Sequence, residues 1–235
     1  MRYKILAAAL LALTATALVH SPAGNAQAPT ADDLRRAVSN LPAGRVARPD
    51  SYESLSRGQV EYLQGVLSGP RNAISGPLVV MLASPELGDL AQRTMAYARF
   101  AGLNGAGSVP PKLNELAVIM AARAWSSPYV WNAHHRYAVS VGLPAELVEA
   151  VRTGAAPPDN LEPDVAAVYA FLDEFMRTKQ VSDATFEMAR TVLGGDKPLV
   201  DLIGTLAIYQ MSAMLTAVDR TGLAPGEPPT LRPLE

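Results

Sequence analysis

The sequence predicts an all-α protein, and three observations carry that prediction. From about residue 51 onward, apolar residues recur at three- and four-residue spacing almost without interruption, which is the period of helices that each bury one face. Runs of alternating β-branched residues are few. Helix start and stop residues punctuate the periodic stretches where the pattern breaks, and the connections between them are short. Short connections favour antiparallel neighbours, so a compact bundle of helical hairpins is the natural architecture.

Residues 1–28 are expected to be a signal peptide. Arg2 and Lys4 precede an apolar run from Ile5 to Val19, and a small polar stretch ends in Ala26-Gln27-Ala28, an A-x-A cleavage pattern. The run falls short of the roughly 18 apolar residues of a membrane span, so no stable membrane insertion is expected after cleavage. A periplasmic or secreted destination follows. Residues 29–50, rich in Pro, Ala, Gly and Arg, read as a flexible tether with one short periodic stretch at Ala31–Val38.

The helical domain is expected over residues 51–222. Its first helices are read at Tyr52–Leu67, Leu78–Leu82 and Pro85–Phe100, the last opened by Ser84 as a cap with proline in the first helical position. Lys112–Trp125, Tyr129–Val141 and Pro144–Arg152 follow, with Gly142 and Gly154 just past two of their ends, where a left-handed residue closes the last turn. Pro163–Thr178 comes next, then Asp183–Leu193, which Ser182 caps and Gly194 closes. The final helix, Pro198–Arg220, is apolar on nearly all sides, with hardly a charge between Asp201 and Asp219. Such a helix is either central in the subunit or shared with another subunit. Residues 223–235, with Pro225, Pro228, Pro229 and Pro233, are expected to run over the surface as a proline-rich tail.

Composition excludes several function classes. The chain has no cysteine, which removes disulfides, cysteine-ligated metals and thiol nucleophiles. Lys and Arg number 20 against 22 Asp and Glu, so nothing in the charge points to nucleic acid. Without the signal peptide the histidines reduce to the adjacent pair His134 and His135. On a helix from Tyr129, His134 shares a face with Val130, Ala138 and Val141, and His135 one with Trp131 and Val139, so the two imidazoles diverge. That divergence argues against a shared metal site. His134 with Glu115 reads in two ways: a core histidine satisfied by a buried carboxylate, or an acid/base pair suited to moving a proton near neutral pH. Arg123 reads as a structural cation or a carboxylate clamp, Tyr129 as an aromatic anchor or a hydrogen-bond donor, and Trp131 as pocket wall. Asn72, Ser75 and Gly76-Pro77 mark a turn that could lie over a pocket.

Glu115-Leu116-Ala117, Arg123, Tyr129-x-Trp131, His134, Ala138 and Gly142-Leu143-Pro144 together resemble the core of the carboxymuconolactone decarboxylase family, or alkylhydroperoxidase D-like superfamily. The resemblance is carried by Pro111–Arg152, with weaker support from Asn72–Leu87 and Pro198–Leu215. It implies the helical fold of that superfamily, His134 and Glu115 as catalytic residues, and Arg123, Tyr129, Trp131 and Asn72 as substrate contacts. It also implies a homotrimer or homohexamer, and proton-transfer chemistry on a small organic acid or lactone without metal or organic cofactor. Two departures matter. Ser127 and Val130 stand where the peroxidase branch has its C-x-x-C pair, which disfavours peroxidase chemistry. Val130 also replaces the middle acid of the decarboxylase branch. A binding or assembly protein that kept the fold without the chemistry is the alternative reading.

Overall fold

Ten consecutive residues of one helix, Leu113 to Ala122, are buried, and the rest of the chain is arranged to cover them. The structure, a computed structural model, describes residues 28–100 and 108–233. All but the last residue of the expected signal peptide lies outside them. Among the described residues there are ten α-helices and no strand, as the periodicity predicts: α1 Ala31–Ser39, α2 Arg57–Ser68, α3 Pro77–Val80, α4 Pro85–Phe100, α5 Pro111–Ala124, α6 Pro128–Ser140, α7 Ala145–Thr153, α8 Pro163–Thr178, α9 Asp183–Leu193 and α10 Asp196–Asp219. The central helix is α5. It packs against α6, α7, α8 and α10, while α4 joins α2 to α10. Ala117, Ala121 and Ala122, all fully buried, keep the side chains of α5 short where its neighbours cross.

Boundaries move where capping chemistry decides them. The stretch expected as one helix from Tyr52 is a single 3₁₀ turn, Tyr52–Ser54, followed by a fresh start at Ser56. Ser56 and Gln59 form a reciprocal capping box: the Ser56 hydroxyl accepts from the Gln59 N–H at 3.3 Å, and the Gln59 side chain accepts from the Ser56 N–H at 2.9 Å. The last helix begins at Asp196, two residues before Pro198, because first-turn N–H groups have no intrahelical partner and a proline there removes nothing.

α10 turns out to have two different faces. Leu199, Leu202, Leu206, Tyr209 and Ala213 are buried against the bundle, whereas Val200, Ile203, Met214 and Val218 form an exposed stripe on the other side. Among the described residues it is the one helix long and apolar enough to cross a membrane by length and composition, and half of it is buried in the fold.

Both terminal segments are docked on the bundle. Leu34 and Val38 of α1 are in the core. The strand of chain after α1 reaches the end of α10, where Arg48 donates to the Asp219 carboxylate at 2.7 Å and the Val46 N–H donates to its other oxygen at 3.0 Å. Burial pushes the Asp219 carboxyl up, but the hydrogen bonds from Arg48, Thr221 and Val46 together outweigh it and hold the group below the usual range. At the other end, Leu231 is buried and Asn132 clasps the tail, donating to the Pro228 carbonyl at 2.9 Å and accepting from the Thr230 hydroxyl at 2.8 Å.

Asp219 has no solvent exposure and Arg48 little, so removing one partner leaves a charge stranded. Asp219→Ala is expected to cost about 3–5 kcal/mol, measured by urea unfolding. Gly44→Ala is expected to destabilise in the same direction, because a Cβ there would stand 2.4 Å from the Arg48 guanidinium and 2.5 Å from the Asp219 carboxylate.

Candidate functional site

The buried face of α5 carries a carboxylate, and a carboxylate in a helical core needs a partner. Glu115 and His134 are 1% and 4% exposed, and they meet across the α5–α6 hairpin with His134 Nδ1 2.7 Å from a Glu115 oxygen. A carboxylate only accepts, so with Glu115 ionised the proton sits on Nδ1 and Nε2 is left as the basic nitrogen. Burial pushes the His134 imidazole below its ordinary pKa. The Glu115 hydrogen bond and charge oppose that shift, and the positive charges of Arg99 and Arg71 add to it. His134 is therefore neutral at physiological pH.

Tyr209 of α10 closes the other side of the imidazole, its ring edge-on at 4.9 Å between centroids. The Tyr209 hydroxyl is buried beside the Arg71 guanidinium without a well-formed hydrogen bond; burial raises its pKa, and the charges of Arg99 and Arg71 oppose the rise. Alongside, Asn114 accepts from the Thr205 hydroxyl at 2.8 Å and ties the start of α5 to α10. Tyr129 at the start of α6 lies over the turn before α3. Gly76 in that turn has φ +53° and faces the Tyr129 ring so closely that a Cβ would stand 2.4 Å from the phenolic oxygen, so no larger residue fits. Ser75 hydrogen-bonds to the same tyrosine.

The other expected site residues go elsewhere. Arg123 lies two turns beyond Glu115, about 12 Å along the helix. Its guanidinium donates to the carbonyls of Arg152 at 2.9 Å and Arg232 at 2.8 Å and to the Ser126 hydroxyl at 2.7 Å, which makes it a clasp for the C-terminal tail. Asn72 is exposed in a left-handed turn conformation, φ +46°, on a surface groove beside Asp33 and Arg36 of α1. Trp131 is buried, and its ring stacks on that of His135 with 5.8 Å between centroids. His135 Nδ1 is 2.9 Å from the Trp131 carbonyl, so it faces away from Glu115. Ser127 caps α6 by accepting from the Val130 N–H, and Val130 is core.

Two residues that sequence reasoning passed over stand near the pair instead. Arg71, in the turn after α2, and Arg99, in the last turn of α4, both act electrostatically on His134 and Tyr209. Isolated arginines at a turn and a helix end carry no periodic signal, and only the packing of α2, α4, α6 and α10 brings them together. Among the described residues no group of three or more His, Cys, Asp or Glu side chains converges as a metal site would require.

Comparison with protein-family models gives no match, and comparison with curated proteins gives no similar sequence.

Because His134 is held neutral in the fold and titrates near pH 6.5 once unfolded, the unfolded chain takes up a proton first as pH falls. Stability is expected to be fully present above about pH 6.5 and to decline below it, by at most about 1.4 kcal/mol per pH unit, until the folded imidazole itself titrates. Urea midpoints between pH 7.5 and 5 measure this. His134→Gln should flatten the slope.

Proposed function

We propose that this chain is a proton-transfer enzyme of decarboxylase or lactone-isomerase type, acting on a small organic acid or lactone with His134 as the base. The observation that carries the reading is the 2.7 Å hydrogen bond between Glu115 and His134 Nδ1, in a setting that keeps the imidazole neutral. An imidazole held in one tautomer by a buried carboxylate presents Nε2 as a poised base. Nε2 takes a proton from the acidic carbon of the substrate, Glu115 stabilises the imidazolium that results, and the same proton is returned to a second position of the intermediate. Protons balance within the cycle, and the chemistry asks for no oxidant or reductant. The resemblance of Glu115-Leu116-Ala117 and Tyr129-x-Trp131 with His134 to the carboxymuconolactone decarboxylase core supports the same assignment. A thiol-dependent peroxidase reading has no nucleophile in a chain without cysteine.

One observation favours a second reading, a binding or assembly protein without chemistry. Tyr209 stands against His134 and leaves the imidazole almost enclosed. Against it stand the Arg71 and Arg99 nitrogens around the pair that lack hydrogen-bond partners, since cationic donors are costly to leave so. The reading extends to a periplasmic or secreted location, and to a homotrimer or homohexamer that covers the exposed stripe of α10.

Proton exchange separates the two readings. Carboxylated lactones and enolisable acids incubated with the protein in deuterated water are expected to incorporate deuterium at the acidic carbon, followed by NMR. His134→Ala should slow incorporation about 100- to 10,000-fold. Activity of the wild type should persist to below pH 6.5, because the base is neutral there. Folded protein that exchanges none of these compounds would favour the binding reading. For assembly, light scattering is expected to give a multiple of the subunit mass, reduced by Val200→Asp and Val218→Asp, whose side chains are 64% and 66% exposed in the single chain.

A further inference from the structure

We propose that Arg71 and Arg99 form a seat for the carboxylate of a small organic anion beside His134 and Tyr209. The proposal deepens the proton-transfer reading by naming the group that anchors the substrate, and it rests on that reading only for what happens after binding.

The two guanidinium groups leave buried nitrogens unpaired, as Arg123 does at Nε, but among the described residues they make none of the hydrogen bonds to protein carbonyls that the other Arg123 nitrogens make. Arg71 Nε and Nη2 and Arg99 Nε are buried with no hydrogen-bond partner. Neither arginine forms an ion pair, while eleven other Lys and Arg side chains among the described residues do. A buried donor left unsatisfied is costly, and a cationic donor more so. Both guanidiniums lie over the Phe100 ring, at 5.4 and 5.3 Å from its centroid, and Arg99 lies 5.9 Å from that of Tyr137. Ring contacts engage the flat face of a guanidinium. Its N–H edges, which recognise carboxylates by paired hydrogen bonds, stay available.

Glu115 does not answer this demand, because it is committed to His134 and forms no ion pair with either arginine. The seven residues after Phe100, 101–107, contain no acidic side chain. What fits two arginine edges next to a neutral imidazole, with the Tyr209 phenol in reach of Arg71, is an anion with flat, paired oxygens. Arg71 and Arg99 are half-buried and Tyr137 is partly exposed, so the seat is approached from the surface while His134 stays enclosed behind it. Arg123, expected as the clamp, holds the tail instead.

Calorimetric titration of the full protein with succinate and with benzoate, against chloride at equal ionic strength, tests the seat. Saturable binding of a carboxylate is expected, weakened roughly tenfold or more by Arg71→Gln and by Arg99→Gln. The exposed Arg93→Gln should bind as wild type. His134→Gln is expected to keep the binding while losing proton exchange, so failure of the chemistry and failure of the seat are told apart. Binding that chloride reproduces, or that survives both arginine substitutions at wild-type strength, overturns the proposal. Should the glutamine variants not fold, the His134 imidazole resonances of the wild type serve as readout. Succinate is expected to shift them where chloride does not, and their indifference to succinate would overturn the seat equally.

Discussion

A helix buried along ten consecutive residues must be enclosed on every side, and that requirement organises this molecule. α5 has no solvent face through its middle, so α6, α7, α8 and α10 have to supply one covering surface each. The exposed stripe of α10 follows from the same geometry: a helix laid along the outside of a central one can bury only the side it turns inward. Docking of the termini completes the enclosure. α1 adds Leu34 and Val38 to the core, and the tail adds Leu231.

Enclosure of α5 would be a simple matter of apolar packing if its inner surface were apolar throughout, but it carries Glu115. An ionised carboxylate in such a place survives only with a hydrogen-bonding partner. His134 meets that need, and in doing so it acquires a fixed tautomer, a depressed pKa and a free second nitrogen. One packing constraint therefore yields both a stabilising contact and a neutral imidazole with one nitrogen uncommitted to Glu115. The depression is informative about the balance: burial outweighs the attraction of Glu115, and two nearby cations reinforce it.

The periodic pattern made most helices legible to within a residue or two, because helix boundaries here follow local capping chemistry. Ser182 and Gly194 mark the ends of α9 in the chain as they do in the structure. The Glu115–His134 contact was legible too, since a hairpin of two helices fixes which residues can face each other. Less local facts were not. The central position belongs to α5 and not solely to the more apolar α10, and Asn114 and Glu115 disguised it by adding polarity to a helix that is nonetheless buried from Leu113 to Ala122. The docking of residues 29–50 rests on contacts distant in sequence: Leu34 and Val38 enter the core, and Arg48 and the Val46 N–H reach Asp219, separated by most of the chain. Pro and Gly content suggested freedom there, whereas the backbone is fixed by what its side chains and N–H groups reach.

Arginine illustrates the limit most sharply. Arg123 sits in the stretch where chemistry was expected, yet three short hydrogen bonds commit it to the tail. Arg71 and Arg99 lie 28 residues apart in sequence, at a turn and a helix end, and meet only through tertiary packing over one aromatic ring. Their charges, with that of Glu115, leave the neighbourhood of a neutral His134 positive on balance. Each guanidinium lies over the Phe100 ring, a contact that offsets part of that excess. Protonating His134 would add a third positive charge to the cluster, and the arrangement resists it. An anion between the arginines would reverse that resistance, because its charge would favour the imidazolium, so occupancy of the cluster would raise the basicity of His134.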